Sequence, residues 1–371
     1  MLIIGSLLTW GNLSYQNAVS SWLESSLSSL AELDPNKEEQ QQQQVQEQER
    51  TQRSPNPNTT TATKRSRLPK IVFGAVFRNT NARNPVMYRR FFDMAKAITS
   101  DYHVVIYEND SKDNTREILL KNMGGGNSSH VTMLFEDNVT GAALPPGTTM
   151  SHNNLHKTTR IARARNIVLK YVEDHFLHYD YFAVLDMDLI CMLDFSSGRY
   201  DHNIFKYVLL ELKDQWDVLS FRQCPYFDWW ALRHPPMLPG NLLYNHEKKH
   251  KRGENRYSWQ QMEVMLQREF DQTPFPDGLI EVESAFALYT IYKMDFIRPK
   301  VARYSGVDEE NVTECEHVPF HTDLRERLGA RIRITPLTYC IPGEYFDKNK
   351  RNSTYRPLPA DIAARMESIT E

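Results

Sequence analysis

From residue 69 onward, apolar positions switch repeatedly between strand and helix spacing. Ile71 to Phe77 (IVFGAVF) is a continuous apolar run of strand length, as expected for a strand covered on both faces. Val86 to Ile98 carries Val86, Met87, Phe91, Met94, Ala95 and Ile98 at helical spacing, and His103 to Tyr107 (HVVIY) is again strand-like, so the three form a β-α-β unit. A helical pattern through Lys121, a strand over Val131 to Phe135 and a helix over Thr158 to Val172 continue the alternation. Tyr181 to Ile190 (YFAVLDMDLI) reads as a buried strand that ends abruptly in Asp186-Met187-Asp188. Beyond it come a helix near Asn203 to Leu212, a strand near Trp216 to Phe221, and Leu279 to Lys293, which alternates and then runs apolar. A strand over Arg331 to Thr335 and an amphipathic segment near Ala360 to Ile369 close the chain. This alternation predicts an α/β fold: a mixed, mostly parallel central sheet flanked by helices.

The first 68 residues follow no such pattern. Asn36 to Lys70 is dominated by Gln, Glu, Pro, Asn and Thr, including the run Gln40 to Gln44, and cannot bury enough apolar surface to offset chain entropy. We therefore expect a low-complexity stem over residues 1–68 and one folded domain over residues 69–371, with a short amphipathic helix within Ser14 to Leu33. Met1 to Trp10 (MLIIGSLLTW) is apolar but shorter than the roughly 20 residues that span a bilayer. It reads either as the remnant of a signal anchor, which would tether the protein to a membrane, or as a plain apolar terminus. Asn-x-Ser/Thr sites at Asn12, Asn58, Asn127, Asn138, Asn311 and Asn352 permit a secretory location, with a Golgi-lumenal type II protein as the expectation and a cytoplasmic one as the alternative. A formal charge of −3 argues against a broad basic surface, so no nucleic-acid partner is expected. The four cysteines, Cys191, Cys224, Cys315 and Cys340, include no C-x-x-C pair, which leaves a zinc ribbon without ligands and a Cys315–Cys340 disulfide open.

Candidate chemistry gathers at strand ends. Asp186 and Asp188, two apart on a strand, share a face with Cβ atoms about 6.6 Å apart, close enough to converge on one hard cation such as Mg²⁺ or Mn²⁺. The loop Glu108-Asn109-Asp110-Ser111 follows the second strand, where open α/β sheets bind ligands. Its carboxylates can accept hydrogen bonds from a ribose or a base, and, compatibly with that, Ser111 or Asp113 can cap the next helix with Asp110 in an Asx-turn. Arg160, Arg163 and Arg165 crowd a turn and a half of helix, either as a diphosphate-binding set or as a solvated basic face. The block Pro225 to Arg233 (PYFDWWALR) would suit a sugar-binding wall, with packed core as the commoner fate of such rings. Tyr244 to Tyr257 is polar and suggests a mobile lid. Glu281 and Glu283 share one face of their strand, and Cys315-Glu316-His317 with His321 offers a late carboxylate and imidazole.

With these residues in place, the chain from about Lys70 to Pro342 resembles a nucleotide-sugar glycosyltransferase of the Rossmann-like GT-A fold, and most nearly the CAP59-like type of fungal capsular mannosyltransferase. The likeness rests on E-N-D-S-x-D-x-T at Glu108 to Thr115, A-R-N at Ala164 to Asn166, D-x-D at Asp186 and Asp188, F-D-W-W-A-L-R at Phe227 to Arg233, E-S-A-F-A-L-Y-x-I-Y-K at Glu283 to Lys293 and C-E-H at Cys315 to His317. Ala287-Leu288 stands where relatives tend to have a glycine pair. The resemblance implies a GDP- or UDP-sugar donor held by Arg78, Glu108, Asp110, Arg163 and Arg165, and a carbohydrate acceptor. It also implies a cation, Mn²⁺ or Mg²⁺, held by Asp186, Asp188 and His317. If transfer inverts the anomeric centre, a carboxylate must take the acceptor hydroxyl's proton, with Asp228, Glu283 and Glu281 as candidates. Rival readings are a glycoside hydrolase, which needs two carboxylates but no nucleotide loop, a nucleotidyltransferase, for which Phe77-Arg78-Asn79-Thr80 lacks the glycine-rich phosphate loop, and a binding protein that has lost turnover.

Overall fold

Among the described residues, eight strands form one sheet, in the spatial order 131–136, 101–109, 70–77, 181–185, 289–293, 218–221, 332–335 and 280–281. A computed structural model of the chain describes residues 67–80, 85–123, 128–139, 152–186, 202–221, 226, 228–234, 259–274, 276–287, 289–309, 313–335, 338–340, 353–355 and 358–369. The strands are β1 (Lys70–Phe77), β2 (Asp101–Asn109), β3 (Val131–Glu136), β4 (Tyr181–Leu185), β5 (Val218–Phe221), β6 (Ile280–Glu281), β7 (Tyr289–Lys293) and β8 (Ile332–Thr335). A separate hairpin pairs β9 (Thr338–Cys340) with β10 (Ser353–Tyr355). β1 is parallel to β2 and β4, β2 to β3, and β5 to β8, whereas β7 runs antiparallel to β4 and β5, and β6 to β8. The sheet is thus mixed and mostly parallel, as the alternation predicts. The chain divides into two units, Met1–Lys64 and Arg65–Glu371, and the described residues all belong to the second. Among them, no helix is long and apolar enough to cross a membrane.

Because side chains on a strand alternate between faces, each strand feeds two cores. Ile71, Phe73, Ala75 and Phe77 of β1, with Ile106 of β2 and Ala183 of β4, face a layer containing α1 (Pro85–Ile98), α4 (His202–Leu210) and α8 (Ala360–Glu367). Val72, Val105, Phe182 and Val184 face the other way, onto Ala164, Val168 and Val172 of α3 (His152–His175), Leu266 and Phe270 of α5 (Trp259–Gln272), and Phe320 and Leu324 of α7 (His317–Leu328). Helices on both faces explain why β1 and β4 are apolar throughout rather than alternating. Gly74 lets α3 lie close on the sheet, since a Cβ there would stand 2.7 Å from Val168 Cγ1 and 2.9 Å from the Phe182 ring. α2 (Thr115–Met123) follows β2, and the single turn α6 (Met294–Ile297) follows β7.

One consequence of strand order locates the site. The chain builds outward from β1 to β2 to β3, then crosses back to lay β4 on β1's other side. The loops leaving β1 and β4 therefore diverge, and the crevice outside their C-terminal ends is where open α/β sheets accept ligands. Asp186 is the residue directly after β4.

Candidate active site

Arg165 is the hub of this crevice. It leaves α3 beneath the end of β4 and is only 5% exposed. Its Nη2 donates to Asp186 Oδ1 at 2.8 Å and its Nε to Glu316 Oε1 at 2.8 Å, so one guanidinium joins the end of β4 to the N-terminal boundary of α7. Nη1 is buried and has no hydrogen-bond partner. The planar guanidinium also lies 4.9 Å from the centre of the Phe286 ring, a cation–π contact. His317 stacks on the same ring, with centroids 3.8 Å apart and planes 15° from parallel.

Asp228 completes the cluster. It is half-buried in the turn before Ala231, whose N–H it accepts at 3.3 Å. Burial, then the negative charges of Glu316 and Asp186, push its carboxyl up to about 7, with Arg165 acting in the opposite direction. Asp186 and Glu316 thus share one guanidinium, and Asp228 stands near enough to feel their charges. Burial and the charge of Arg165 keep His317 neutral, well below its ordinary range.

A divalent cation can be tested against these residues. His317 is fully buried, and neither ring nitrogen has a hydrogen-bond partner; Nε2 lies 3.7 Å from Glu316 Oε1. A neutral imidazole with a free lone pair beside a carboxylate is a suitable N,O donor set for a transition-metal dication. Asp186 has one oxygen on Arg165 and the rest of a side chain that is 26% exposed. Each of those two residues by itself has the donor chemistry the ion takes. Among the described residues, no three His, Cys, Asp or Glu side chains group around one point, and Asp188 lies outside the described residues.

The other predicted donor-binding residues are engaged within the protein. Glu108 is completely buried, accepting the Ser111 N–H at 3.0 Å and Arg116 Nε at 2.5 Å. Asp110, at a φ of 50°, accepts the N–H groups of Asn138 at 2.7 Å and Val139 at 3.1 Å. Both shape the loop after β2. Asn79 stitches the β1 loop to it, since its Oδ1 accepts the Lys112 N–H at 2.7 Å and its own N–H donates to Ser111 Oγ at 3.0 Å. Arg78, one residue earlier, has a buried Nε without a partner. Asp113 accepts the N–H of Thr115 at the start of α2 at 3.0 Å, the capping role open to it from the sequence.

Arg163 and Arg165 are two residues apart on α3 and so point to different sides. Arg163 donates to Glu136 Oε1 at 2.5 Å and to the Tyr107 hydroxyl at 2.8 Å, on the side of β2 and β3. Arg160 is exposed. Asn166, the last residue of A-R-N, clamps the backbone of Tyr304 from both sides, Nδ2 to the carbonyl at 2.8 Å and Oδ1 from the N–H at 2.9 Å. A cleft of about 500 Å³ opens there, between α3 and the segment Tyr304–Val307 and away from Asp186.

Of the predicted aromatic wall, Tyr226 and Trp229 are buried in the second core, Trp230 is half-buried with an unpartnered indole N–H, and Phe227 lies outside the described residues. Glu283, 46% exposed, pairs with Arg325 of α7 at 3.2 Å. Glu281, 79% exposed, pairs with Arg333 at 2.8 Å. His321 is held between Ser284 Oγ and the Tyr292 hydroxyl, each at 2.9 Å, and burial lowers its pKa to about 3. Cys315 is a buried free thiol. The predicted lid over Tyr244 to Tyr257 and the apolar Met1 to Trp10 lie outside the described residues.

No protein-family model matches the chain, and no curated protein matches it in sequence. Solved structures that resemble it include TarS from S. aureus and a mannosyltransferase from Pyrobaculum calidifontis. Residues 1–349 of TarS from S. aureus align at 13% identity and a TM-score of 0.32, over 72% of this chain and 58% of that one. The TarS complex with UDP-GlcNAc aligns at 12% identity and a TM-score of 0.33, over 72% and 56%. The mannosyltransferase PcManGT from Pyrobaculum calidifontis, solved with GDP-Man and Mn²⁺, aligns at 10% identity and a TM-score of 0.36, over 81% and 69%. The chain thus spans a little over half of the TarS fragment. At such values, the site's own residues must carry any functional reading.

Proposed function

We propose that this protein is a glycosyltransferase that moves a sugar from a GDP- or UDP-sugar to a hydroxyl of a carbohydrate acceptor, with Mn²⁺ or Mg²⁺ bound at the site. The observation that carries this reading is Asp228, a carboxyl poised at about 7 beside Asp186, Glu316 and Arg165. A group with that pKa in a crevice can accept a proton from a hydroxyl at neutral pH and release it again. The order of motifs from Glu108 to His317 supports the CAP59-like type within the class.

The roles follow from the contacts. Asp228 takes the acceptor hydroxyl's proton, and Glu283, tethered by Arg325, lies on the acceptor side. Arg165 Nη1 and Arg78 Nε, both buried donors without partners, hydrogen-bond the anionic oxygens of the donor's diphosphate. Glu108, Asp110 and Arg163 act indirectly, by fixing the β2 loop against which the nucleoside lies. Asp186, Asp188 and His317 would hold the cation, which, when bound, offsets the negative charge that develops on the departing diphosphate. Residues 69–371 carry the catalysis, and residues 1–68 form a stem that leaves the enzyme tethered in the secretory pathway.

The test is nucleotide release from GDP- and UDP-sugars with and without Mn²⁺, in the wild type and in Asp186→Asn. The reading expects release that depends on Mn²⁺ and falls at least about a hundredfold in the variant. Tight donor binding without release would make the protein a binding module, and cleavage of simple glycosides without any nucleotide would make it a hydrolase; either result overturns the proposal.

A further inference from the structure

We infer that Arg233 and Glu314 are positioning residues whose buried ion pair clasps the Asp228 turn to the segment bearing Glu316 and His317, and so sets how closely the site's acids stand. Only the catalytic consequence of this inference rests on the glycosyltransferase reading. Both side chains are buried, Arg233 at 5% exposure and Glu314 at 4%. Arg233 Nη2 donates to Glu314 Oε1 at 2.5 Å. Its Nη1 donates to the carbonyls of Trp230 at 2.7 Å and Leu232 at 2.8 Å, closing the turn in which the Asp228 carbonyl accepts the Ala231 N–H.

The other ends of the clasp are backbone. Glu314 Oε1 also accepts the Cys315 N–H at 2.7 Å, fixing the direction in which the chain proceeds to Glu316. The Glu314 N–H is anchored to the Gly306 carbonyl at 3.1 Å. Arg233 itself forms a bridge with Ser284: its N–H donates to the Ser284 carbonyl at 2.8 Å, and its carbonyl accepts the Glu283 N–H at 2.8 Å. The ion pair and the backbone of Arg233 together therefore join the segments that bear Asp228, Glu283 with Phe286, and Glu316 with His317.

A purely structural joint would not need charge here, because a buried ion pair is on average no more stabilising than well-packed apolar side chains of the same volume. Charge supplies direction. Four of the bonds involve the guanidinium or carboxylate itself: one closes the ion pair, two hold the turn after Asp228, and one fixes the chain leading to Glu316. Burial raises the Glu314 carboxyl above its ordinary range, and the Arg233 guanidinium acts in the opposite direction.

The experiment compares Glu314→Gln, Arg233→Lys and the double variant Arg233→Met with Glu314→Met, which leaves no lone buried charge. The readouts are the titration of Asp228, followed by carbon NMR of Asp-labelled protein with Asp228→Asn for assignment, and kcat and KM for the nucleotide sugar. In the folded double variant the Asp228 midpoint should fall by about one pH unit or more, as the acids separate. The value of kcat should drop about tenfold or more while donor KM stays within about twofold. Arg233→Lys, which keeps the charge, should recover part of both, and Glu314→Gln should lie between. An unmoved midpoint in a folded double variant, or in Glu314→Gln should the double variant not fold, overturns the clasp. If the midpoint moves but the wild type turns over no nucleotide sugar, the glycosyltransferase reading fails and the clasp stands; the reverse pattern retains the reading and rejects the clasp.

Discussion

Asp228 shows how a single residue's surroundings become measurable. Its carboxyl sits at about 7 in the folded protein against an ordinary 3.8, because burial and the neighbouring charges of Glu316 and Asp186 oppose ionisation. Between those two values the folded state binds a proton that the unfolded chain has released, so stability falls as pH rises from about 4 through about 7. Asp228→Asn removes this dependence. Its melting temperature should match the wild type near pH 4 and exceed it at pH 8, and a gap of the opposite sign would refute the raised pKa. The same substitution should lower transfer about 10²- to 10⁴-fold if Asp228 is the proton acceptor. The cluster itself was only half legible in sequence. The short patterns containing Asp186, Arg165 and Glu316 stood out, but the bonds joining them cross 21 and 151 positions of chain and leave no local spacing to read. Asp110 and Glu108 are ambiguous for a related reason: acidic residues at a strand end suit a ligand and a loop's own N–H groups equally well, and here both bond the loop.

At the scale of elements, periodicity predicts well wherever one face is apolar. β1, β2, β3, α1 and β8 all lie within a residue or two of the patterns that announce them. α3 runs longer than its apolar stripe, from His152 to His175, because polar residues extend a helix without marking it. α7 gave no such signal, since HVPFHTDLRERL buries only His317, Phe320, His321 and Leu324, and two of those four are histidines read as chemistry rather than packing. The stretch Leu279 to Lys293, whose pattern alternates and then runs apolar, holds two strands, β6 and β7, with Glu283 and the Arg233 bridge between them, so Glu281 and Glu283 do not lie on one continuous strand. α3 also depends on a neighbour that periodicity cannot reveal. A Cβ on Gly306 would stand 2.4 Å from the Thr159 nitrogen and 2.6 Å from the Thr158 carbonyl carbon, backbone atoms that cannot move aside. Gly306→Ala should therefore cost about 1–3 kcal/mol, measurable by denaturant unfolding. A neutral result would mean that α3 is not seated against this segment.

For the whole molecule, the claim is a division of labour. The unit Arg65–Glu371 contains the sheet, both cores and every residue of the cluster around Arg165. Removing Met1–Lys64 should leave nucleotide-sugar turnover within about twofold of the full chain, and a large loss of kcat would show that the first unit contributes to the site. Within the second unit, the strand order makes a crevice outside the ends of β1 and β4, near which stand the unpartnered His317 imidazole and the partly exposed Asp186 carboxylate. Crystals grown with Mn²⁺ and GDP or UDP, measured at the manganese edge, address that claim most directly. The account predicts one anomalous peak within coordination distance of Asp186 or Asp188 and of His317, with the diphosphate against Arg165. A peak elsewhere, or nucleotide bound without any metal near those residues, would contradict it.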